Sequence, residues 1–450
     1  MLFKKTAKAI AYTLSFLATC VSAETTWPEL QPMRATAAWE IGEIESFETA
    51  GGPEVPGKDK HLLSHSAVWL LQEARLSENA RVFVGVGGMY FFILPSATNP
   101  YSFGQRSAFG LTDAHVEYDL GIRENGDHAL RLKVGVFPYK YNSDAKNLGE
   151  YMYRTYTYPN IITSGGLVMV NSAGVQLNGA AAETRLGGLK NDLMLTVKTD
   201  QVPSGALSLT DIVSYSVGNI FTLGAGYMFD NFYSADGLAD GDGSDRSTFQ
   251  QSYYYKLADG TFVLYDPNAA PSPAAVDSGH FTFNGQKAMW RASLDLGNLI
   301  SLGLPLEIAS NTFKVYYEGV LMGVKDYPIF YENRKDRIAQ MVGVNVPTFG
   351  VLDVLSMEAE YCSNPYAPDM TNATLYLSAT PKNNQGDKFN SDDLKWSLYA
   401  RKTVLPGFAV TAQAARDHIR LVDYFGHTND MEVLPMRKNW YWALQLSYSI

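Results

Sequence analysis

Charged residues in this chain repeatedly stand an even number of positions apart. Asp113, His115, Glu117 and Asp119 form one series, and Arg131 with Lys133 a second. Arg291 with Asp295, Lys314 with Glu318, Glu358 with Glu360, and Lys395 with Arg401 continue the pattern, and Arg81 and Lys198 fall on comparable segments. Even spacing puts such groups on one face of a β-strand. The two signs nearly balance. Such a face can orient polar molecules by Coulomb forces, but it lacks the ladder of one sign that a strongly anion-selective path requires.

Other groupings carry less chemistry. Asp236, Asp240, Asp242 and Asp245 lie among glycines but lack the terminal bidentate glutamate of a calcium loop, so they read as a solvated acidic segment. His61 and His65 are four apart, a ligand spacing on a helix, yet the local pattern is that of a strand. Gly85, Gly87 and Gly88 are followed by no helix and suit sheet curvature better than a dinucleotide loop. No serine–histidine–carboxylate or cysteine–histidine set has supporting context. The expectation is therefore a non-enzyme with no metal and no cofactor.

The elements that carry the even-spaced charges have an apolar second face. Leu130, Leu132, Val134 and Val136 oppose Arg131 and Lys133. Ala114, Val116, Tyr118 and Leu120 oppose the Asp113–Asp119 series, and Leu394, Trp396 and Leu398 oppose Lys395 and Ser397. At the C-terminus Trp440, Trp442, Leu444, Leu446, Tyr448 and Ile450 share one face, with aromatics at both ends and aliphatics between. Alternation alone fits either a soluble sandwich or a membrane barrel.

Loop lengths separate the two. Strands are expected near 34–46, 63–76, 80–94, 108–121, 129–138, 171–180, 191–199, 207–217, 220–229, 286–297, 312–324, 337–346, 352–362, 393–402, 407–418 and 439–450. Short or medium connections alternate almost strictly with long ones at 47–62, 95–107, 139–170, 230–285, 325–336, 363–392 and 419–438; the gap near 200–206 is the short exception. The fold expected is all-β: a transmembrane antiparallel up-and-down barrel of about 16 strands.

Composition agrees. The 450 residues are 13% aromatic and 18% charged, which excludes intrinsic disorder. A net charge of -10 without a basic block argues against nucleic acid as a partner. No apolar run beyond the N-terminus approaches the length of a membrane-spanning helix. Residues 1–23 read as a cleaved secretory signal, with Lys4, Lys5 and Lys8 before an apolar stretch and Val21-Ser22-Ala23 at the cleavage site. A lipoprotein reading at Cys20 is the competitor. Cleavage at Ala23 leaves Cys362 as the only cysteine and 24–450 as a single barrel domain, too short to include a separate plug domain.

The signal, the alternating strands, the asymmetric loops and the aromatic final strand together resemble the Gram-negative outer-membrane porins; the terminal Ile450 departs from the phenylalanine common there. The resemblance covers nearly the whole chain and is architectural. It implies a water-filled channel for passive diffusion of small hydrophilic solutes and ions, and contacts with outer-membrane lipid and lipopolysaccharide. It also implies a homotrimer in many members and an outer loop folded inward to narrow the pore. The 139–170 segment, with six tyrosines and both charge signs, is the candidate for that loop. Tyr141, Glu150, Tyr153 and Arg154 would then face solutes opposite Arg131 and Lys133. Arg81, Asp113, Glu117, Arg291, Asp295, Lys314, Glu318, Glu358, Lys395 and Arg401 would line the rest of the lumen. A substrate-specific channel for an oligosaccharide or anion, and a plugged structural or adhesive barrel, are the alternatives.

Overall fold

The computed structural model describes residues 28–45, 60–92, 105–122, 128–153, 170–184, 187–197, 206–234, 252–257, 262–264, 275–281, 285–303, 311–321, 323–324, 334–362, 394–417 and 439–450. The signal segment, Arg154 and Lys198 lie outside them. Twenty strands are present: β1 (Glu29–Leu30), β2 (Arg34–Glu45), β3 (Lys60–Arg75), β4 (Ala80–Phe92), β5 (Gln105–Ile122), β6 (His128–Tyr139), β7 (Val170–Thr184), β8 (Gly187–Val197), β9 (Ala206–Val217), β10 (Phe221–Ser234), β11 (Ser252–Leu257), β12 (Phe262–Leu264), β13 (Ala275–Phe281), β14 (Gly285–Asp295), β15 (Lys314–Leu321), β16 (Ile338–Asn345), β17 (Val354–Cys362), β18 (Leu394–Leu405), β19 (Phe408–Arg416) and β20 (Trp440–Ser449). A short helix, α1 (Leu296–Gly303), follows β14.

Sixteen of these strands, β2–β10 and β14–β20, form a ring of antiparallel neighbours. The ring closes where β2 pairs with β20 from Thr36↔Ser449 to Glu45↔Trp440. Reciprocal backbone bonds between Ala35 and Ile450 finish the seam at 3.0 and 2.9 Å. Closure pairs the backbone of every strand on both sides and leaves no free edge. All sixteen expected strands are present, with ends shifted by a few residues.

Four local features differ from the sequence reading. The medium connection near 181–190 shrinks to 185–186, because β7 and β8 extend toward each other. The connection 298–311 holds α1, whose apolar LGNLISLG sequence gives no strand alternation. Inside the longest loop, β11, β12 and β13 make a separate three-stranded sheet, and β1 adds a two-residue pairing to β3. Among the described residues, no helix is long and apolar enough to cross a membrane, which leaves the strands unconstrained.

Exposure follows the alternation with an inverted sense. Met357, Tyr361, Leu394, Trp396, Leu398 and Trp442 are exposed on the outer face, whereas Glu358, Glu360, Lys395, Ser397, Gln413 and Gln445 are buried inside. Outward aromatics gather toward the long-loop end (Tyr361, Trp396, Trp442) and the short-turn end (Tyr118, Tyr448). The interior also holds an apolar cluster. Met194, Ile212, Met228, Met289, Val320 and Met341, from successive strands β8, β9, β10, β14, β15 and β16, pack against residues 141–152 of the loop that follows β6.

Candidate functional site: a loop bound to the barrel interior

After Tyr139 the chain turns into the barrel. Asn142, Ser143, Asp144 and Asn147 are types whose short polar side chains favour turns over regular structure. The amide of Ala145 donates to the carbonyl of Asn142 at 3.2 Å, and Lys140 Nζ donates to the carbonyl of Ala145 at 2.5 Å. Gly149 and Glu150 then adopt successive left-handed conformations, φ 87° and 65°. Glycine suits the first because its φ of 87° is strained for an L side chain, and a Cβ there would also lie 2.6 Å from Met341 Cε and 3.1 Å from Glu318 Oε2.

The Glu150 carboxylate closes the loop on itself. It accepts from the amides of Tyr141, at 3.3 Å, and Asn142. At 2% exposure it is not presented to solute, contrary to the expectation from sequence. The reason is local: the left-handed turn aims the side chain at the loop's own unpaired amides.

The wall supplies the remaining acceptors. Glu358 of β17 accepts three consecutive backbone amides, from Lys146 at 2.5 Å and from Asn147 and Leu148 at 2.8 Å each. Its Oε1 also accepts from Tyr316 Oη at 2.7 Å. Glu318 of β15 accepts from Tyr141 Oη at 2.6 Å, Asn142 Nδ2 at 2.7 Å and the Tyr151 amide at 3.0 Å. Glu360 accepts from Tyr151 Oη at 2.6 Å. Asp417 accepts from Asn147 Nδ2 at 2.5 Å and Tyr441 Oη at 2.8 Å. Lys314 pairs with Asp144 at 2.7 Å, and Lys287 donates to the carbonyl of Met152 at 3.3 Å.

In the ring, β17 stands eight strands from β6 among sixteen, so the segment that leaves β6 is fastened to the opposite wall. Tyr153 packs edge-on against Tyr139, with ring centroids 5.5 Å apart, and its hydroxyl contacts Met194 Sδ at 3.4 Å. Burial and neighbouring carboxylates push the Tyr141 and Tyr151 hydroxyls well above the ordinary tyrosine range, so both remain neutral donors. Burial pulls the Lys146 ammonium below its usual range, against the opposing charges of Asp144 and Glu358.

The other wall pairs side chain with side chain. Glu117 lies 2.9 Å from Arg81, 2.8 Å from Lys133 and 3.5 Å from Arg131. Arg131 Nε donates to Asp119 at 2.6 Å, and Asp113 approaches His115 at 3.6 Å. The His115 ring stacks on Phe83 at 4.7 Å. These cations keep about a quarter of their side-chain surface accessible.

The expected lumen residues thus divide. Arg81, Asp113, Glu117, Arg131 and Lys133 share one inward patch on β4, β5 and β6. Glu318, Glu358 and Lys314 fasten the loop, and the buried Lys395 donates to the carbonyl of Asp417 at 3.3 Å. Arg291 lies over Gly224 on the facing strand, and Arg401 is exposed near the short-turn end of β18. Asp295 does not line the lumen as expected: its carboxylate caps α1, accepting from the amides of Asn298 at 2.9 Å and Asn311 at 2.7 Å. Sequence reading missed Asn142, Asn147, Asp417 and the methionine seat. Inward-facing Met194, Met228, Met289 and Met341 were its available signal, since an aqueous wall has no use for them.

No protein-family model matches the chain, and no curated protein matches it. Among solved structures it is similar to mutants of the porin of Rhodopseudomonas blastica. Three of them align with 94% of this chain and 100% of theirs, at 8%, 9% and 8% identity and TM-scores of 0.44, 0.43 and 0.42.

Proposed function

We propose that the protein is a porin-type channel of a Gram-negative outer membrane, passing small hydrophilic solutes and ions by passive diffusion and carrying out no enzymatic reaction. One observation carries this reading: the barrel is polar inside and apolar outside. Exposing Trp, Leu and Met to water while burying Glu, Lys and Gln is costly, whereas the same arrangement is the stable one in a bilayer. The outward apolar face then meets lipid, and lipopolysaccharide borders the long-loop end.

The loop at 140–153 narrows the path from the β15–β17 side. Tyr141, Glu150 and Tyr153 shape the constriction as structural members, and solutes pass along Arg81, Arg131 and Lys133. The three cations and the neighbouring Asp113, Glu117 and Asp119 balance in number, which favours weak selectivity. An oligosaccharide track of tyrosines loses support, because Tyr141 and Tyr151 are buried and spend their hydroxyls on wall carboxylates. The apolar seat of the loop favours the plugged barrel as second reading. We further propose a homotrimer, in keeping with the family resemblance.

Liposome swelling separates these readings. Vesicles containing the purified protein should swell in small sugars and progressively less in larger ones. Vesicles that do not swell in any solute would leave only the plugged barrel. A heat-dependent shift in gel mobility, with a band near three times the monomer mass before heating, tests the trimer.

A further inference from the structure

The rim at the short-turn end has two unlike halves. Between β3 and β4 it is Ser77-Glu78-Asn79, and between β9 and β10 Gly218-Asn219, both polar. Between β16 and β17 the tip carries Phe349, 85% exposed, and Val351, 74% exposed. Between β18 and β19 it carries Val404 and Leu405, and the chain ends on Ile450, 70% exposed. These positions are neighbours in the ring, because β16 through β20 follow one another there.

The apolar tips are held outward by fixed geometry. The amide of Val351 donates to the carbonyl of Thr348 at 3.0 Å, and Thr348 Oγ1 donates to the carbonyl of Leu352 at 2.6 Å. Asp353 accepts from the Thr403 amide at 2.6 Å, which ties the two turns together; the Thr403 side chain first, and then this amide, hold its carboxyl below the usual range. Phe349 sits at φ 50°, an unfavourable conformation for a bulky aromatic residue, with its side chain in the open. Lys402 reaches over the same surface, donating to the carbonyl of Gly350 at 2.7 Å and standing 3.6 Å from Asp353.

We propose that this half of the rim is a phospholipid-contacting anchor. Phe349, Val351, Val404, Leu405 and Ile450 enter the boundary between headgroups and acyl chains of the leaflet nearest the short turns, while Lys402 stays at the phosphates. Lipid is the occupant because Val404 stands on the outward series Leu394, Trp396, Leu398 and Ala400 of the same strand, with Lys402 the single charged member between wall and tip. A long cation beside apolar tips is the arrangement in which a side chain extends its charge to the interface and leaves its stem in lipid. The inference rests on the membrane reading above.

Nitroxide labels on single cysteines test it, in a Cys362→Ala background reconstituted into phosphatidylethanolamine–phosphatidylglycerol vesicles. Phe349→Cys and Val404→Cys probe the apolar half, Glu78→Cys the polar half, and Met357→Cys the outer wall; the two rim probes guard against misfolding of either variant. Oxygen-to-nickel-chelate accessibility ratios at 349 and 404 should resemble that at 357 and exceed that at 78 several-fold. Ratios at 349 and 404 equal to that at 78, with 357 still lipid-like, would overturn the anchor and spare the membrane reading. Low accessibility to both reagents with spin–spin broadening would assign the rim to a second copy of the chain and also overturn it. A water-like ratio at 357 would instead remove the membrane reading itself.

Discussion

The two facing walls of the barrel interior use the same residue types for different ends. On β4, β5 and β6, Arg81, Arg131 and Lys133 converge on Glu117, and every partner is a side chain. On β15 and β17, Glu318 and Glu358 take mainly backbone amides and tyrosine hydroxyls from a loop that started on the first wall. A carboxylate opposite mobile cations can exchange partners with water and passing ions. One that accepts three consecutive amides cannot be replaced without leaving those amides unmatched. On the channel reading proposed above, the first wall tunes what passes and the second fixes how much room remains.

Breaking the second wall should have the largest consequence. Glu358→Ala removes the acceptor of three consecutive amides, two of them buried, each worth roughly 1–3 kcal/mol when left unmatched, so loop docking should weaken by about 3 kcal/mol. Hydrogen exchange at 146–148 reports it: protection present in the parent should vanish in the variant, while strand amides of β15–β17 keep theirs.

Alkaline pH attacks the same wall more gradually. Tyr141 and Tyr151 are raised when docked, so their contribution is complete below the ordinary tyrosine value and is lost as pH rises beyond it. Docking should weaken by up to about 1.4 kcal/mol per pH unit for each tyrosine above pH ~10. The depressed Lys146 acts in the opposite sense, favouring docking as pH rises toward the ordinary lysine range, and it is one group against two. Protease cleavage within 140–153 followed against pH should accelerate above that point; a flat profile would contradict the assignment.

Gly149→Ala is the next step down. The left-handed backbone at φ 87° penalises any Cβ by about 1–2 kcal/mol, before the contact with Met341 is counted. Its exchange protection at 146–148 should fall partway between parent and Glu358→Ala. Arg131→Ala, on the first wall, should be the mildest in stability, under about 1 kcal/mol, since the pair is partly hydrated. It should shift reversal potential toward cations and leave loop protection intact. If it released the loop, the division between the walls would be wrong.

Much of this architecture is legible in the sequence. Sixteen period-2 segments and the alternation of loop lengths define the ring, because inward and outward environments impose opposite hydropathies on adjacent residues. The same logic could not assign what occupies the inside. Glu358 and Glu117 are equivalent in the pattern, each inward and each flanked by outward apolar residues. What distinguishes them is a loop whose fastening points lie some 200 positions away in sequence. Asp295 was misread for a related reason: its final-strand position fits the alternation, but the helix it caps lies beyond the strand. Glu150 likewise has no sequence mark of the left-handed turn other than the glycine before it. Inward methionines on alternating strands were the overlooked sign, since they break the expectation of a fully aqueous wall.

The central claim is that a loop fastened across the interior sets the width of a water-filled path. Single-channel recording in planar bilayers, comparing the parent with Glu358→Ala and Arg131→Ala, addresses it most directly. The parent should give discrete steps, Glu358→Ala distinctly larger ones, and Arg131→Ala steps of nearly parental size with altered ion preference. Absence of steps in the parent, or equal steps in the parent and Glu358→Ala, would contradict it.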